Sequence, residues 1–175
     1  MALLVGCLAS VPAENPTPPP IPQGWTTVVQ SGLRMALPSQ WPLAEGWDGL
    51  VVDMGVGDPN VFLLALAPVD VEPQPESDVS TEELTDWIVD RISSSRPDRY
   101  SRSERHLPAG PAVMVRFHFD GEMGHIEAVE GVAYAIRTRE GVAYLQINMS
   151  ESLFDEFEAA MAEVPLHLSL AHPSP

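Results

Sequence analysis

Strict alternation of apolar and polar residues just after the middle of the chain is the feature that most constrains its fold. Val113, Val115, Phe117 and Phe119 alternate with Met114, Arg116, His118 and Asp120. This period of two predicts a half-buried β-strand. Residues 132–138 and 142–148 predict a hairpin around Arg139-Glu140-Gly141, where Gly141 can adopt a positive φ.

Two helices are predicted from apolar stripes at helical spacing. Ser80 and Glu83 form a capping box, and Leu84, Trp87, Ile88, Arg91 and Ile92 follow it. A second helix is predicted over residues 151–163, capped by Ser150 and ended by Pro165. Each stripe buries one face, so Trp87 is interpreted as a core residue.

The remaining apolar runs are short and predict strands. They cover residues 25–29, 33–37, 50–54, 61–67 and 166–170. The first two predict a hairpin around Gln30-Ser31-Gly32. Hairpins separated by helices predict an α+β fold, in which a largely antiparallel sheet is covered by helices as an α/β/α sandwich. A chain of 175 residues is of single-domain size.

The charge of the chain limits its partners. Its formal net charge is −16, with nine basic residues, all arginine, against 25 acidic ones. Such a chain repels nucleic-acid phosphates and anionic lipid headgroups, so we predict no nucleic-acid binding. Any membrane contact is expected to occur through a covalent lipid anchor only.

The single cysteine suggests such an anchor. Leu4-Val5-Gly6-Cys7 resembles the bacterial lipobox, in which the cysteine becomes lipidated. Six prolines between residues 11 and 22 predict an extended, semi-rigid spacer behind it. We therefore expect residues 1–6 to be a signal-peptide remnant, 7–24 a tether, 25–171 one domain and 172–175 a tail. The alternative is a cytoplasmic protein with a free thiol.

Several motifs resemble the PsbP-like/Mog-like α/β/α sandwich family. They are Gly32-Leu33-Arg34-Met35-Ala36-Leu37-Pro38-Ser39-Gln40-Trp41, Leu107-Pro108-Ala109-Gly110-Pro111-Ala112, Glu140-Gly141-Val142-Ala143-Tyr144 and the ending Leu168-Ser169-Leu170. The resemblance spans about residues 25–171. Family members include photosystem II accessory proteins, Ran-binding proteins and actinobacterial lipoproteins of unknown function.

The resemblance implies a non-enzymatic binding or accessory domain, without a cofactor, on the extracytoplasmic face of the cell membrane. Its expected partner is a protein or a small apolar ligand at the cell envelope. The alternative is a soluble protein-binding adaptor of the Mog-like kind. No GxSxG, P-loop or GxGxxG motif is present, and we predict that the chain is not an enzyme.

One cluster nevertheless has the composition of a metal site. His118, Asp120, His125 and Glu127 are imidazoles and carboxylates that would converge on zinc or manganese if the loop between them brought two strands together. A metal-dependent hydrolase using His118, Asp120 and His125 is the corresponding minor alternative. The competing interpretation is a solvated sheet face, and no metal site is predicted.

Two surface features could serve a partner. Trp41 and Trp47 lie in a predicted aromatic loop after the second strand, where they either cap the core or anchor a partner. The chain's main basic run is Arg96, Arg99, Arg102 and Arg105. We expect these arginines to pair with surrounding acids, or else to dock an acidic partner.

Overall fold

The computed structural model describes residues 15–30, 33–41, 43–47, 49–53, 62–66, 78–92, 97–120, 128–138 and 141–171. The strands are β1 Trp25–Gln30, β2 Leu33–Pro38, β3 Leu43–Trp47, β4 Gly49–Asp53, β5 Phe62–Leu66, β6 Arg99–Leu107, β7 Gly110–Phe119, β8 Val129–Thr138, β9 Gly141–Ser150 and β10 Ser169–Leu170. The helices are α1 Thr81–Ile92 and α2 Glu151–Glu163, and a 3-10 turn covers Val164–His167.

The strands form two antiparallel sheets. The larger has seven strands in the order β3-β4-β5-β9-β8-β7-β6, and the smaller has three in the order β1-β2-β10. The predicted hairpins β1–β2 and β8–β9 are both present. Two antiparallel sheets with two helices confirm the predicted α+β class.

The larger sheet is covered on both faces. Helix α1 packs on one face, where Leu84 and Ile88 join the odd-numbered residues of β7, such as Val115. The opposite face packs against the smaller sheet and the end of α2, through residues such as Leu33 and Met161. Burial of both faces gives the central strands apolar residues on each side, and β7 is therefore more buried than its alternation predicts.

The start of α1 has the predicted capping box. The Ser80 backbone N–H donates to Glu83 Oε2 over 2.8 Å, and the Glu83 N–H donates to Ser80 Oγ over 3.2 Å. These bonds satisfy donors that the first helical turn leaves without intrahelical partners. They also lower the pKa of the Glu83 carboxyl, because the Ser80 hydroxyl and amide both donate to its ionised form.

Two glycines allow close approaches in the larger sheet. A Cβ on Gly131 would lie 2.3 Å from Phe117 Cζ, so the ring of the neighbouring strand occupies the space of the missing side chain. Gly110 has φ +149°, and its Cβ would lie 2.0 Å from the Arg137 carbonyl oxygen. Both positions therefore exclude a side chain, and Gly110 forms the tight connection between β6 and β7.

The structure corrects the prediction in two places. Residues 43–47 were assigned to an aromatic loop, but they form β3, which pairs with β4 through a register irregularity between Ala44 and Trp47. Residues 99–107 were assigned no strand, but they form β6. Among the described residues, no helix combines the length and apolar character needed to cross a bilayer.

Candidate functional site

Strand β6 is a long open edge of the larger sheet. It pairs with β7 in one unbroken register, from Arg99 opposite His118 to Leu107 opposite Gly110. Seven of its nine residues are exposed, and only Leu107 is buried. Within the described parts of the chain no strand pairs with its other side. An antiparallel edge strand directs alternate N–H and C=O groups outwards, so β6 offers a row of backbone donors and acceptors.

The arginines of β6 are divided between the two faces of the sheet. Arg99 and Arg105 lie on the face of the smaller sheet, because they are opposite His118 and Ala112. Arg102 lies on the α1 face, opposite Val115. Their spacing of three residues alternates faces because side chains in a strand have a period of two. The edge therefore has positive charge on both sides.

The predicted pairing of these arginines with acids is partly present. Arg99 Nη2 lies 3.7 Å from Asp120 Oδ1, and both side chains are largely exposed. Such an exposed and loosely aligned pair contributes little to stability. Arg105 donates to the Glu104 carbonyl oxygen over 3.1 Å. Arg96 lies outside the described residues.

His118 lies between two carboxylates at the same end of the sheet. Its Nδ1 is 2.7 Å from Glu130 Oε1, and its Nε2 is 2.7 Å from Asp120 Oδ1. His118 is opposite Glu130 on β8 and opposite Arg99 on β6, so the strand register builds this row. When both carboxylates are ionised, both ring nitrogens must donate, and the imidazole is doubly protonated.

The electrostatics of the row agree with this protonation state. Burial of His118 opposes its positive charge, but the hydrogen bonds to Asp120 and Glu130 outweigh that effect and raise the pKa of the imidazole. Arg99 reduces the increase. Arg116 Nε lies 3.7 Å from Glu130 Oε2, so a guanidinium is present at each end of the row. The result is a chain of alternating charges from β6 to β8.

The geometry bears on the predicted metal cluster in only two of its four residues. His118 and Asp120 meet, as their shared strand face predicts, whereas His125 and Glu127 lie outside the described residues. Among the described residues, no group of three or more His, Cys, Asp or Glu side chains has the arrangement of a metal site. Both nitrogens of His118 already contact carboxylates, so a metal ion would have to displace one of them. The metal and hydrolase interpretations remain predictions.

The tryptophans are placed differently from the arginines. Trp41 is only 4% exposed and belongs to the core between the two sheets. It also lines a cleft of about 550 Å³ together with Trp25 and Ala160. Trp47 ends β3, and its side chain lies outside the description. A partner-binding role for either tryptophan remains a prediction, and burial limits the surface that Trp41 offers.

Sequence reasoning missed two residues of the charge row. Glu130 is twelve positions from His118, and only the register of β7 with β8 brings them together. Arg116 was recognised only as part of the alternation, although its position two residues before His118 already placed both on one face. Cys7 lies outside the described residues, and the described chain begins at Asn15 in a proline-rich segment without helix or strand.

The layered α+β architecture is that of PsbP-like domains. The solution structure of cyanobacterial PsbP (CyanoP) from Synechocystis sp. PCC 6803 matches 95% of this chain and 99% of its own, with a TM-score of 0.55 and 8% sequence identity. At this identity, the likeness shows the fold alone. No protein-family model and no curated protein sequence matches the chain.

Proposed function

We propose that this chain is a binding or accessory domain without chemistry of its own, held at the extracytoplasmic face of a cell membrane by a lipid on Cys7. The observation that carries the binding role is the exposed, arginine-bearing edge of β6 in a chain of net charge −16. An open edge of opposite charge to the rest of the molecule is suited to selecting a protein partner.

The PsbP-like fold supports the accessory role, since the fold is shared over nearly the whole chain. The lipobox-like Leu4-Val5-Gly6-Cys7 and the prolines that follow support the tether. A semi-rigid spacer would hold the domain away from the bilayer and leave β6 accessible. The acidic surface would reduce adsorption to anionic headgroups, so that the anchor alone would set the distance.

The tether is tested by expressing the gene with its native upstream region in the native host, as wild type and as Cys7→Ala. We expect wild-type protein in the membrane fraction, with an intact mass of a chain that begins at a lipidated Cys7. The Cys7→Ala variant should lack the lipid and the corresponding processing. Wild-type protein in the soluble fraction with a free Cys7 thiol would refute the anchor and favour the soluble adaptor.

A further inference from the structure

We propose that β6 binds an extended acidic segment of a partner protein, which adds to the larger sheet as a further strand. This inference rests on the proposed binding function and specifies the chemistry of the partner. Backbone hydrogen bonds along the edge would supply much of the affinity, and the arginines would select the sequence.

The edges of the two sheets differ in their suitability for such addition. Strand β3, at the other end of the larger sheet, has an irregular register, and β10 has only two residues. Strand β1 has six residues and no charge. Strand β6 has nine residues in continuous register, without proline or glycine. Bulges, prolines and short lengths normally protect sheet edges, and β6 has none of these features.

The charge of β6 identifies the occupant. It holds three of the chain's nine basic residues but only one of its 25 acidic residues, Glu104. Glu104 is already engaged, because it accepts a hydrogen bond of 2.8 Å from the Thr81 hydroxyl. A second copy of the chain would bring the same arginines to the edge and a net charge of −16 to the complex. An acidic segment avoids both repulsions.

The arginine positions also specify the spacing of the acids. Residues directly opposite each other in an antiparallel pair share a face. Acidic residues at positions i, i+3 and i+6 of the added strand would therefore lie opposite Arg105, Arg102 and Arg99. The residue opposite Tyr100 should be apolar, since this ring is 45% exposed.

The first test is an NMR titration of the isotope-labelled 175-residue chain with the peptide ETVETVE, capped at both ends. We expect chemical-shift changes concentrated in β6, and none with the neutral peptide QTVQTVQ. Arg102→Glu should weaken binding about three- to tenfold, because it replaces an attractive cross-strand pair with a repulsive one. The control Arg34→Glu makes the same charge change on an exposed residue of the smaller sheet and should leave binding unchanged.

The second test needs only the wild-type chain and two N-methylated forms of ETVETVE. Each form is methylated on one of the two alternating sets of amides. Strand addition predicts that one form loses at least tenfold in affinity while the other retains binding, since only one set of amides faces β6. Equal binding by both forms would show contact by charge alone and refute strand addition.

Two further results would overturn the proposal. One is an unchanged affinity in Arg102→Glu together with a loss in Arg34→Glu. The other is a concentration-dependent dimer in sedimentation that the peptide fails to dissociate, which would assign the edge to a second copy. Either result would leave the Cys7 anchor untouched, because the tether is measured independently by fractionation and mass.

Discussion

Replacement of Gly131 by alanine should destabilise the protein, although the same change at an ordinary strand position would stabilise it. Gly131 lies on β8, and its missing side chain leaves room for the ring of Phe117 on β7. A Cβ there would be 2.3 Å from Phe117 Cζ and 2.7 and 2.8 Å from the two Cε atoms. Ordinary carbon contacts are about 3.5–4.0 Å, so the ring would have to move by about 1 Å.

The surrounding structure gives the ring little space for this movement. Phe117 is 1% exposed, belongs to the core under α1 and packs against Phe119 with ring centroids 5.7 Å apart. Overpacking of this kind costs about 1–3 kcal/mol. The reduced backbone freedom of the unfolded chain offsets about 0.4–1 kcal/mol. The expected net loss is about 1–2 kcal/mol, which lowers Tm by about 2–8 °C in a protein of this size.

Urea unfolding of four proteins measures this effect: wild type, Gly131→Ala, Phe117→Leu and the double variant. Leucine lacks the far end of the ring, so the alanine should cost much less in the Phe117→Leu background. The coupling energy is expected to be about 1–2 kcal/mol in favour of the double variant. An increase in stability for Gly131→Ala in the wild-type background would show that the ring does not occupy this space.

Three further changes follow from described contacts. Gly110→Ala should cost more than Gly131→Ala, about 2–4 kcal/mol in thermal or urea unfolding, because its Cβ would meet a backbone oxygen at positive φ; a cost below 0.5 kcal/mol would contradict the turn geometry. Ser80→Ala should remove the cap of α1 at about 1 kcal/mol, with Ser101→Ala on exposed β6 as a near-neutral control; equal effects of the two changes would refute the cap. The raised pKa of His118 means that its stabilisation is complete below its ordinary value of 6.5 and is lost as the pH rises through the raised value. His118→Gln should therefore lose more stability at about pH 5.5 than at about pH 8.5, unlike the exposed control His106→Gln, and a loss independent of pH would refute the charged row.

Much of the fold could be predicted from the sequence where local pattern and tertiary burial agree. Helix α2 occupies residues 151–163 as predicted, since an apolar stripe begins after Ser150 and Pro165 follows its end. The capping box at Ser80 is present because its hydrogen bonds are local and need no tertiary context. The alternation along β7 correctly placed Val115 and Phe117 in the core.

The edge strand could not be found in the same way. Strand β6 is exposed on both faces, so its sequence lacks the apolar alternation by which a half-buried strand is recognised. Its arginines recur every three residues, which matches neither the strand period nor the helix period. Partner strands determine its conformation, and that information is in the register with β7.

The candidate site was predictable only within one strand. The period of two placed His118 beside Asp120, and the structure brings them together. The contact with Glu130 depends on the pairing of β7 with β8, which a motif search over neighbouring residues does not see. The functional reading of the arginines changed for the same reason, because their meaning comes from an edge that only the assembled sheet creates.

Site-specific photo-crosslinking in the native host tests the central claim that β6 is the binding surface. A photoreactive phenylalanine analogue replaces Tyr100 on β6 or Val29 on β1, a second edge position that is 56% exposed. The account predicts a discrete crosslinked partner from position 100 alone, with acidic residues at three-residue spacing in the attached segment identified by mass spectrometry. Equal crosslinking from both positions, or products that contain only further copies of this chain, would contradict it.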